Sequence, residues 1–262
     1  MAIHATAVVD PSAALGTDVE IGAYVVIEAN TQVGDNCHLE AFSAVRQFTT
    51  LGARCHVHSG VILGGDPQDL KFHQERSYLR IGADNELREY VTIHRASGEE
   101  NATTLGDGNL LMAYSHIGHN CTMGSHTLLA NSVAVAGHCV IEDYVNIGGL
   151  AAIHQFVTVG TMSMVGGLSR IVRDVPPYTI VEGSPARPRG INVRGLQRHK
   201  ISEETRDQLR RAYRLLFRSD YNVTAAIAKL RADEATPSPE LLRLLDFMRE
   251  IDLGSRGRQL NR

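Results

Sequence analysis

The sequence predicts a mainly β protein, in which a parallel β-helix of hexapeptide repeats is followed by a small α-helical domain. Counting every sixth residue from Ile3 to Ile171 gives 29 positions, of which 26 hold Ile, Val, Leu or Met. From Ser202 onward the apolar residues follow helical spacing instead. The chain of 262 residues has no Trp and only 5% aromatic residues. Small aliphatic side chains must therefore fill the core, which suits stacked coils better than a compact α/β domain.

The period of six fits neither a helix, which repeats near 3.6, nor a lone strand, which repeats at two. Consecutive segments such as "IGAYVV", "IEANTQ" and "VGDNCH" fit a chain that runs straight, bends and repeats, with the aliphatic residue in a shared core. A hexapeptide period is typical of a parallel β-helix. The repeat resembles that of left-handed β-helix proteins of the hexapeptide acyltransferase type. In those proteins three hexads form one triangular coil, so residues three hexads apart would stack at about 4.8 Å.

Three positions break the repeat and predict two loops. Asp69 and Glu75 lie in "GGDPQDLKFHQERSY", and Glu99 lies in "RASGEENATT". We expect insertions at about 64–80 and 95–104, which carry function or are tolerated surface loops. The repeat ends in "IVRDVPPYTIVEGSPARP", so the β-helix should span 1–189 and the helical domain 190–262.

Three helices are predicted in the C-terminal domain. "SEETRDQLRRAYRLLFRS" has a Ser cap, acidic residues in its first turn and apolar residues at helical spacing. "VTAAIAKLRAD" and "SPELLRLLDFMREI" continue as helices.

Composition limits the classes of function. The 26 basic and 29 acidic residues nearly balance, so no nucleic-acid partner is expected. The N-terminus has no leader pattern and no apolar run is long enough to span a membrane, so we expect a cytoplasmic protein without membrane insertion.

The cysteines and histidines do not predict a metal site. Cys37 and Cys55 are separated by three hexads, as are Cys121 and Cys139, so they should stack in the core rather than form disulfides. No Cys-x-x-Cys pair occurs. The γ-class carbonic anhydrases bind zinc through a pair of histidines five residues apart and a third histidine, and this repeat lacks such a pair. No metal and no other cofactor is expected.

Histidines cluster instead in "LLMAYSHIGHNCTMGSHTLLANSVAVAGHCVI", residues 110–141. With three hexads in each coil, residues three hexads apart stack in one column along the β-helix. His119, Gly137 and Gln155 share such a column, and His138 and His154 are each one residue away from it. A lone histidine is most often structural, but several on one edge beside glycines favour a site. Imidazole suits a general base near neutral pH, and the backbone N–H beside a glycine suits an oxyanion donor. The arrangement fits acyl transfer, with His119 as base and Gly137 as donor.

The motifs identify the chain as similar to the UDP-N-acetylglucosamine O-acyltransferase family almost end to end. They include "QDLKF", "VTIHRAS", "NLLMAYSHIGHNC", "VAGH", "IHQF", "DVPPY" and "GINVRGLQRHKIS". The resemblance implies transfer of an (R)-3-hydroxyacyl group from acyl carrier protein to the 3-hydroxyl of UDP-N-acetylglucosamine, the first step of lipid A synthesis. It also implies a homotrimer with the active site between subunits.

The resemblance assigns roles residue by residue. It gives His119 the role of general base, Gly137 that of oxyanion donor, and Gly167 that of the residue that limits acyl length. Glycine there would leave the acyl groove open for a longer chain, although Met162, Met164 and Leu168 could narrow it. Substrate contacts are implied for Asp69, Lys71, His94, His116, His138, His154, Gln155, Asn192 and Arg198.

Three positions depart from the family pattern. Asn120 stands where the family usually has an aspartate after the base, and Arg194 and His199 alter the segment before the helices. Two alternatives therefore stay open: a hexapeptide acyltransferase for another sugar nucleotide, such as the 3-amino analogue, and a non-catalytic trimeric scaffold. Residues 187–231 hold 12 Lys and Arg against four acidic residues, which favours steering of acidic acyl carrier protein, or is simply a solvated helix face.

Overall fold

A computed structural model describes residues 2–254. Its strands, in chain order, are β1 Ala2–Ile3, β2 Val8–Val9, β3 Ala14–Leu15, β4 Glu20–Ile21, β5 Val26–Ile27, β6 Gln32–Val33, β7 His38–Leu39, β8 Ala44–Val45, β9 Thr49–Leu51, β10 His56–Val57, β11 Ile62–Gly65, β12 Tyr78–Ile81, β13 Glu86–Leu87, β14 Thr92–His94, β15 Ala102–Leu105, β16 Leu110–Leu111, β17 His116–Ile117, β18 Thr122–Met123, β19 Leu128–Leu129, β20 Ala134–Val135, β21 Val140–Ile141, β22 Asn146–Ile147, β23 Ala152–Ile153, β24 Thr158–Val159, β25 Met164–Val165, β26 Arg170–Ile171, β27 Thr179–Gly183 and β28 Ala186–Ile191. Its helices are α1 Val193–Arg198, α2 Glu203–Phe217, α3 Val223–Asp233 and α4 Pro239–Asp252.

The strands form a three-sided parallel β-helix. Every third strand pairs with the next in parallel, which gives a first sheet (β1, β4, β7 and onward to β25), a second sheet (β2 to β26) and a third sheet (β3 to β24). β27 and then β28 extend the first sheet beyond β25. Most neighbouring strands pair at a separation of three hexads, as in Ile3↔Ile21 and Ile117↔Val135. The second residue of these strands points inward and is buried from Ile21 onward, because period-two alternation sends its neighbour to solvent. The repeated aliphatic residue is therefore the core.

The chain bends at three corners in each coil. We call corner I the turn from first to second sheet, corner II the turn from second to third, and corner III the turn from third to first. One residue in most corners has a left-handed backbone, with φ near +60°, for example Tyr114, Asn120 and His126. Asparagine tolerates this conformation better than most residues.

Both insertions leave the prism at corner II of consecutive coils. β11 and β14 pair at a separation of five hexads (Ile62↔Thr92), and β12 and β15 at a separation of four (Tyr78↔Ala102). The loops thus add two hexads and one hexad to a coil of three. Whole hexads keep the repeat in phase, which is why two positions in the first loop and one in the second break it. The predicted bounds 64–80 and 95–104 are too wide, because backbone pairing extends the flanking strands and leaves loops at 66–77 and 95–101.

The C-terminal domain begins slightly later than predicted. β28 pairs antiparallel with β27 and extends the first sheet to Ile191, past the expected boundary at 189. The short helix α1 was not predicted, and it is capped by Asn192, whose side chain accepts a hydrogen bond from the Gly195 N–H. The other three helices match the sequence, each capped by Ser or Asn. Arg243 of α4 pairs with Glu142 of the β-helix. No helix within residues 2–254 is long and apolar enough to cross a membrane.

Candidate active site

His119 lies at corner II, one coil after the second loop, with its ring against Gly137 of the next coil. A Cβ atom added to Gly137 would stand 2.7 Å from His119 Nε2. Any larger residue at 137 would therefore displace the imidazole. The Gly137 N–H makes no hydrogen bond within residues 2–254, so it is available to an incoming group.

Asn120 fixes the tautomer of His119. Its Oδ1 accepts from the Ser97 N–H (2.9 Å), and its Nδ2 donates to the Ser97 carbonyl (2.9 Å), so the amide orientation is set by two backbone groups of the second loop. His119 Nδ1 lies 2.8 Å from the same Oδ1. Because that oxygen only accepts, Nδ1 must carry the proton. The lone pair of Nε2 is left free beside Gly137.

A cleft of about 410 Å³ opens in front of His119. It is lined by His94 and His116 of the second sheet, by His119 and Gly137, and by Gln68 and Gln155, with the small Ala134 and Ala152 along one side. Such a concave site with convergent polar groups is a natural ligand pocket.

His94 and His116 are held neutral in this cleft. Burial, then the neighbouring His116 and His119, lower the pKa of His94 to about 4. Burial, then His119, also lowers the pKa of His116. The two rings pack edge to face with centroids 4.8 Å apart, and Thr92 Oγ1 lies 2.8 Å from His116 Nδ1. The buried His94 Nδ1 has no partner among the described residues, so it is a polar atom available to a ligand.

The first loop brings Asp69 next to this site. Asp69 Oδ2 accepts from Ser97 Oγ at 3.1 Å, so the two loops meet. Hydrogen bonds from the Lys71 N–H and then the Ser97 hydroxyl lower the Asp69 pKa, although desolvation opposes them. The Lys71 side chain is exposed and does not line the cleft.

Sequence reasoning missed Arg95, which anchors the first loop. Only 1% exposed, it donates to Asp66 Oδ1 (2.9 Å) and to the Glu75 carbonyl (3.1 Å), and it stacks over Phe72. The sequence did offer a signal for this role, because "VTIHR" places a charged residue directly after a buried strand. A charge buried there must be paired, so partners in a neighbouring loop could have been expected.

His138, His154 and Gln155 follow His119 along corner II. The His138 ring meets His119 edge to face at 5.1 Å and stacks on Phe156 at 4.7 Å, and burial lowers its pKa. Gln155 lines the cleft, whereas His154 does not. The Nδ1 atom of His154 lies 3.2 Å from the Gln155 carbonyl oxygen.

Asn192 and Arg198 do not join these residues. They line a separate cleft of about 310 Å³ at corner III, with His126, Tyr144, Met162 and His199. Asn192 Nδ2 donates to the Met162 carbonyl, so Met162 belongs to this cleft rather than to an acyl groove with Gly167. The two clefts share no residue within one chain.

Gly167 lies at corner I, across the second sheet from His119. A Cβ atom there would meet only the Gly149 carbonyl oxygen, at 3.2 Å, and the Gly149 nitrogen, at 3.8 Å. The exposed Ala134 and Ala152 lie on the second sheet between the two corners. The surface from His119 toward Gly167 is therefore formed by small side chains.

The cleft histidines do not form a metal-binding group. Among residues 2–254, one set of three ligating side chains comes within 4.8 Å, and it is Glu40, His56 and His58, outside the cleft. The cleft offers the His119 imidazole with its tautomer fixed by Asn120, the unpaired N–H of Gly137, and two neighbouring histidines, His94 and His116, whose pKa values are lowered. This arrangement can remove a proton from a hydroxyl group and stabilise a developing oxyanion.

Comparisons with known proteins agree with this chemistry. Residues 174–258 match a family model described as UDP N-acetylglucosamine O-acyltransferase, domain 2. The chain is 49% identical to the acyl-[acyl-carrier-protein]–UDP-N-acetylglucosamine O-acyltransferase of Ralstonia nicotianae, over 94% of each chain. It is 45% identical to the protein of that name from Paraburkholderia phymatum, over 96% of this chain and 98% of the other.

Solved structures give the same result. LpxA from Acinetobacter baumannii is 37% identical, with a TM-score of 0.91 over 95% of this chain and 97% of that one. The UDP-N-acetylglucosamine acyltransferase of Arabidopsis is 33% identical, with a TM-score of 0.87 over 97% and 98%. Structures of this type are left-handed β-helices, so the predicted fold class is confirmed.

Proposed function

The chain belongs to the UDP-N-acetylglucosamine O-acyltransferase family, and on that premise we propose how it transfers an acyl group from acyl carrier protein to UDP-N-acetylglucosamine. It is an O-acyltransferase of lipid A synthesis. Neither alternative, the 3-amino sugar nucleotide or the non-catalytic scaffold, is favoured by these relatives. We propose that the acyl group is (R)-3-hydroxyacyl, that the acceptor is the sugar 3-hydroxyl, and that His119 is the base.

The observation that carries this mechanism is the chain of contacts from Ser97 through Asn120 to His119. It keeps the proton on Nδ1 and the lone pair on Nε2. Nε2 takes the proton of the sugar 3-hydroxyl as that oxygen attacks the thioester carbonyl carbon. The C–S bond then breaks, and the imidazolium returns the proton to the leaving thiolate. No covalent enzyme intermediate is needed.

Gly137 supports the oxyanion of the tetrahedral intermediate. Its N–H is unpaired within the described chain, and the residue adjoins the base, since a Cβ atom added to it would stand 2.7 Å from His119 Nε2. A preorganised donor there contributes about 2.7–4 kcal/mol to transition-state stabilisation in comparable oxyanion holes. His94, His116 and Gln155 line the sugar and thioester side, with His138 and His154 farther along corner II. Asp69 and Lys71 contact the sugar nucleotide from the first loop.

A homotrimer would complete the site. Asn192 and Arg198, the proposed nucleotide contacts, line a cleft separate from that of His119, so one chain alone does not bring them together. Corner I also exposes large apolar residues, which usually mark an interaction surface. They are Tyr24, Phe42, Tyr90, Tyr114, Leu150 and Leu168. Packing of corner I against a second subunit would cover them and bring the two clefts from different chains together.

Acyl carrier protein would dock on the basic C-terminal surface, which is smaller than the sequence count indicated. Arg206, Arg210 and Arg211 are ion-paired, the last with Glu234, just beyond the counted segment. The basic residues of the segment that make no ion pair within residues 2–254 are Arg187, Arg194, Arg198, Lys200, Arg214 and Arg218. These remain to steer an acidic partner.

Gly167 would set the acyl length. Because its hydrogen leaves the surface open beyond Ala134 and Ala152, a long acyl chain could pass it. A cytoplasmic location completes the proposal, and the four free cysteines are consistent with a reducing compartment.

Acyl transfer by the purified protein tests the proposal. Donors would be 3-hydroxyacyl carrier proteins of several chain lengths, and acceptors UDP-N-acetylglucosamine and its 3-amino analogue. His119→Ala should lose about 10²–10⁴-fold in kcat, whereas His4→Ala, an exposed histidine outside both clefts, should match the wild type. Full activity of His119→Ala would refute the base assignment. Acylation of only the amino sugar would refute the acceptor.

A further inference from the structure

Two histidines and two glutamates form a compact group on the first sheet, away from the catalytic cleft. His56 and His58 alternate with the fully buried Val57, so both point outward from one coil. Glu40 belongs to the coil before and Glu86 to the coil after, because His56 pairs with His38 on one side and Glu86 on the other. Three consecutive coils thus contribute to one group.

The nitrogen and oxygen atoms of this group converge. Glu40 Oε1 lies 3.0 Å from His56 Nε2 and 3.2 Å from His58 Nδ1. Glu86 Oε1 lies 3.7 Å from His56 Nδ1 and makes a short contact with His58 Nε2. The two imidazole rings stack with centroids 3.9 Å apart. Each glutamate therefore faces a nitrogen of both rings.

Neighbouring hydrogen bonds hold the Glu40 carboxylate in a fixed orientation. Ser59 donates to Glu40 Oε2 from its N–H (3.2 Å) and hydroxyl (2.9 Å), which leaves Oε1 directed at the imidazoles. Such hydrogen bonds orient ligands at metal sites. His58 is only 9% exposed.

The separations suit a metal ion. Around a tetrahedral zinc ion with bonds of about 2.1 Å, neighbouring ligand atoms lie about 3.4 Å apart. The distances from Glu40 Oε1 to His56 Nε2 and to His58 Nδ1 are 3.0 and 3.2 Å. Lone pairs lie in the ring plane, so the stacked rings must tilt beyond their present 25°. The His56 side chain is one-third exposed and can rotate.

We propose that Glu40 Oε1, His56 Nε2 and His58 Nδ1 bind one divalent transition-metal ion of the Zn²⁺ class. Two imidazole nitrogens and a carboxylate oxygen form a donor set that zinc favours over Mg²⁺ or Ca²⁺. The ion joins the coils of β7 and β10. β10 is followed directly by β11, from which the first loop leaves, so the ion stabilises the base of that loop. This role is structural and independent of the proposed acyl transfer.

The alternative is an ion-pair cluster of protonated histidines with the two glutamates. In that cluster each imidazole would be held between the two glutamates, one at each ring nitrogen. The two hypotheses differ in one measurable respect: only the metal site binds one Zn²⁺ per chain.

Untagged protein stripped with a chelator and titrated with Zn²⁺ in a calorimeter tests the proposal. We expect one ion per chain with Kd at or below about 1 µM, and a Tm rise of roughly 5 °C at 100-fold excess over Kd. Co²⁺ should give the intense visible bands of a tetrahedral site.

The variants identify the ligands. His56→Gln with His58→Gln should abolish binding, whereas the matched pair His94→Gln with His116→Gln, in the cleft, should retain it. If the first pair does not fold, Glu40→Gln keeps the Ser59 contacts and should weaken binding at least tenfold. No binding by the wild type, or full binding by Glu40→Gln and by His56→Gln with His58→Gln, would overturn the proposal. Acyl transfer should be unchanged in Glu40→Gln, so the two proposals fail separately.

Discussion

Asn120→Asp tests whether the neutral amide beside His119 sets the pH range of catalysis. The substitution keeps size and a residue type that tolerates the left-handed backbone at 120, where φ is 59°. It places a negative charge on the group that lies 2.8 Å from His119 Nδ1. The protonated imidazole is thereby stabilised relative to the neutral ring. As the pH falls, His119 should therefore become protonated, and cease to act as a base, at a higher pH than in the wild type.

The size of the effect follows from the geometry. With charge centres about 4 Å apart, the interaction is about 4 kcal/mol at an effective dielectric constant of 20 and about 1 kcal/mol in bulk water. At 1.36 kcal/mol per pH unit, the acidic limb of the kcat/KM profile should move up by about one to three units. Because the corner is partly exposed, we expect one to two units.

The substitution also has a destabilising effect. The aspartate cannot donate to the Ser97 carbonyl as Nδ2 does at 2.9 Å, which costs about 1–3 kcal/mol in stability or loop order. Asn120→Gly is the control, because it removes the side chain without strain at positive φ. It should lower kcat without moving the limb.

The assay is the pH dependence of kcat/KM between pH 5.5 and 9, with acyl carrier protein thioester and UDP-N-acetylglucosamine, for the wild type and both variants. An upward shift in Asn120→Asp alone supports the tautomer assignment. An unchanged limb in Asn120→Asp would refute the claim that Asn120 contacts the catalytic base.

The other predictions concern stability, specificity and assembly. Arg95→Leu should lower the free energy of unfolding by about 1–3 kcal/mol, because it removes the hydrogen bonds of a buried charge. It should also raise the KM for UDP-N-acetylglucosamine. Unchanged thermal stability and KM would contradict an anchoring role for Arg95. Because the His94 pKa is about 4 when folded and 6.5 when unfolded, the unfolded state binds more protons in that window, and stability falls as pH drops from about 6.5 to 4. Denaturation of His94→Gln across that range should show a shallower slope. Gly167→Met should shift donor preference toward shorter acyl chains, whereas Leu168→Met should not; equal preference would exclude residue 167 as the ruler. Light scattering should give a mass near three times 28.6 kDa, and Tyr114→Glu should lower it; a wild-type monomer would refute the trimer.

Much of the fold could be predicted because the local pattern of aliphatic residues has the same period as the coils of the β-helix. A short strand and a corner repeat with the period of the aliphatic residues, so the sequence pattern and the coil are the same feature. The insertions of two hexads and one hexad preserve that period, so the loops appeared as breaks at Asp69, Glu75 and Glu99. Their ends were placed too wide, because backbone pairing of β11, β12 and β15 depends little on side-chain type.

By itself, the sequence determined the β-helix, the helical domain and the column that holds His119 and Gly137, because these depend on a one-dimensional period. Tertiary structure alone decided three other features. Asn120 meets Ser97, far away along the chain, because the second loop folds back over corner II. Asn192 and Arg198 line a different corner from His119 because the chain passes around the prism before the helices begin. Glu40, His56 and Glu86 meet because inter-strand pairing joins residues from three coils, one of them lengthened by the first loop, and no local spacing encodes that contact.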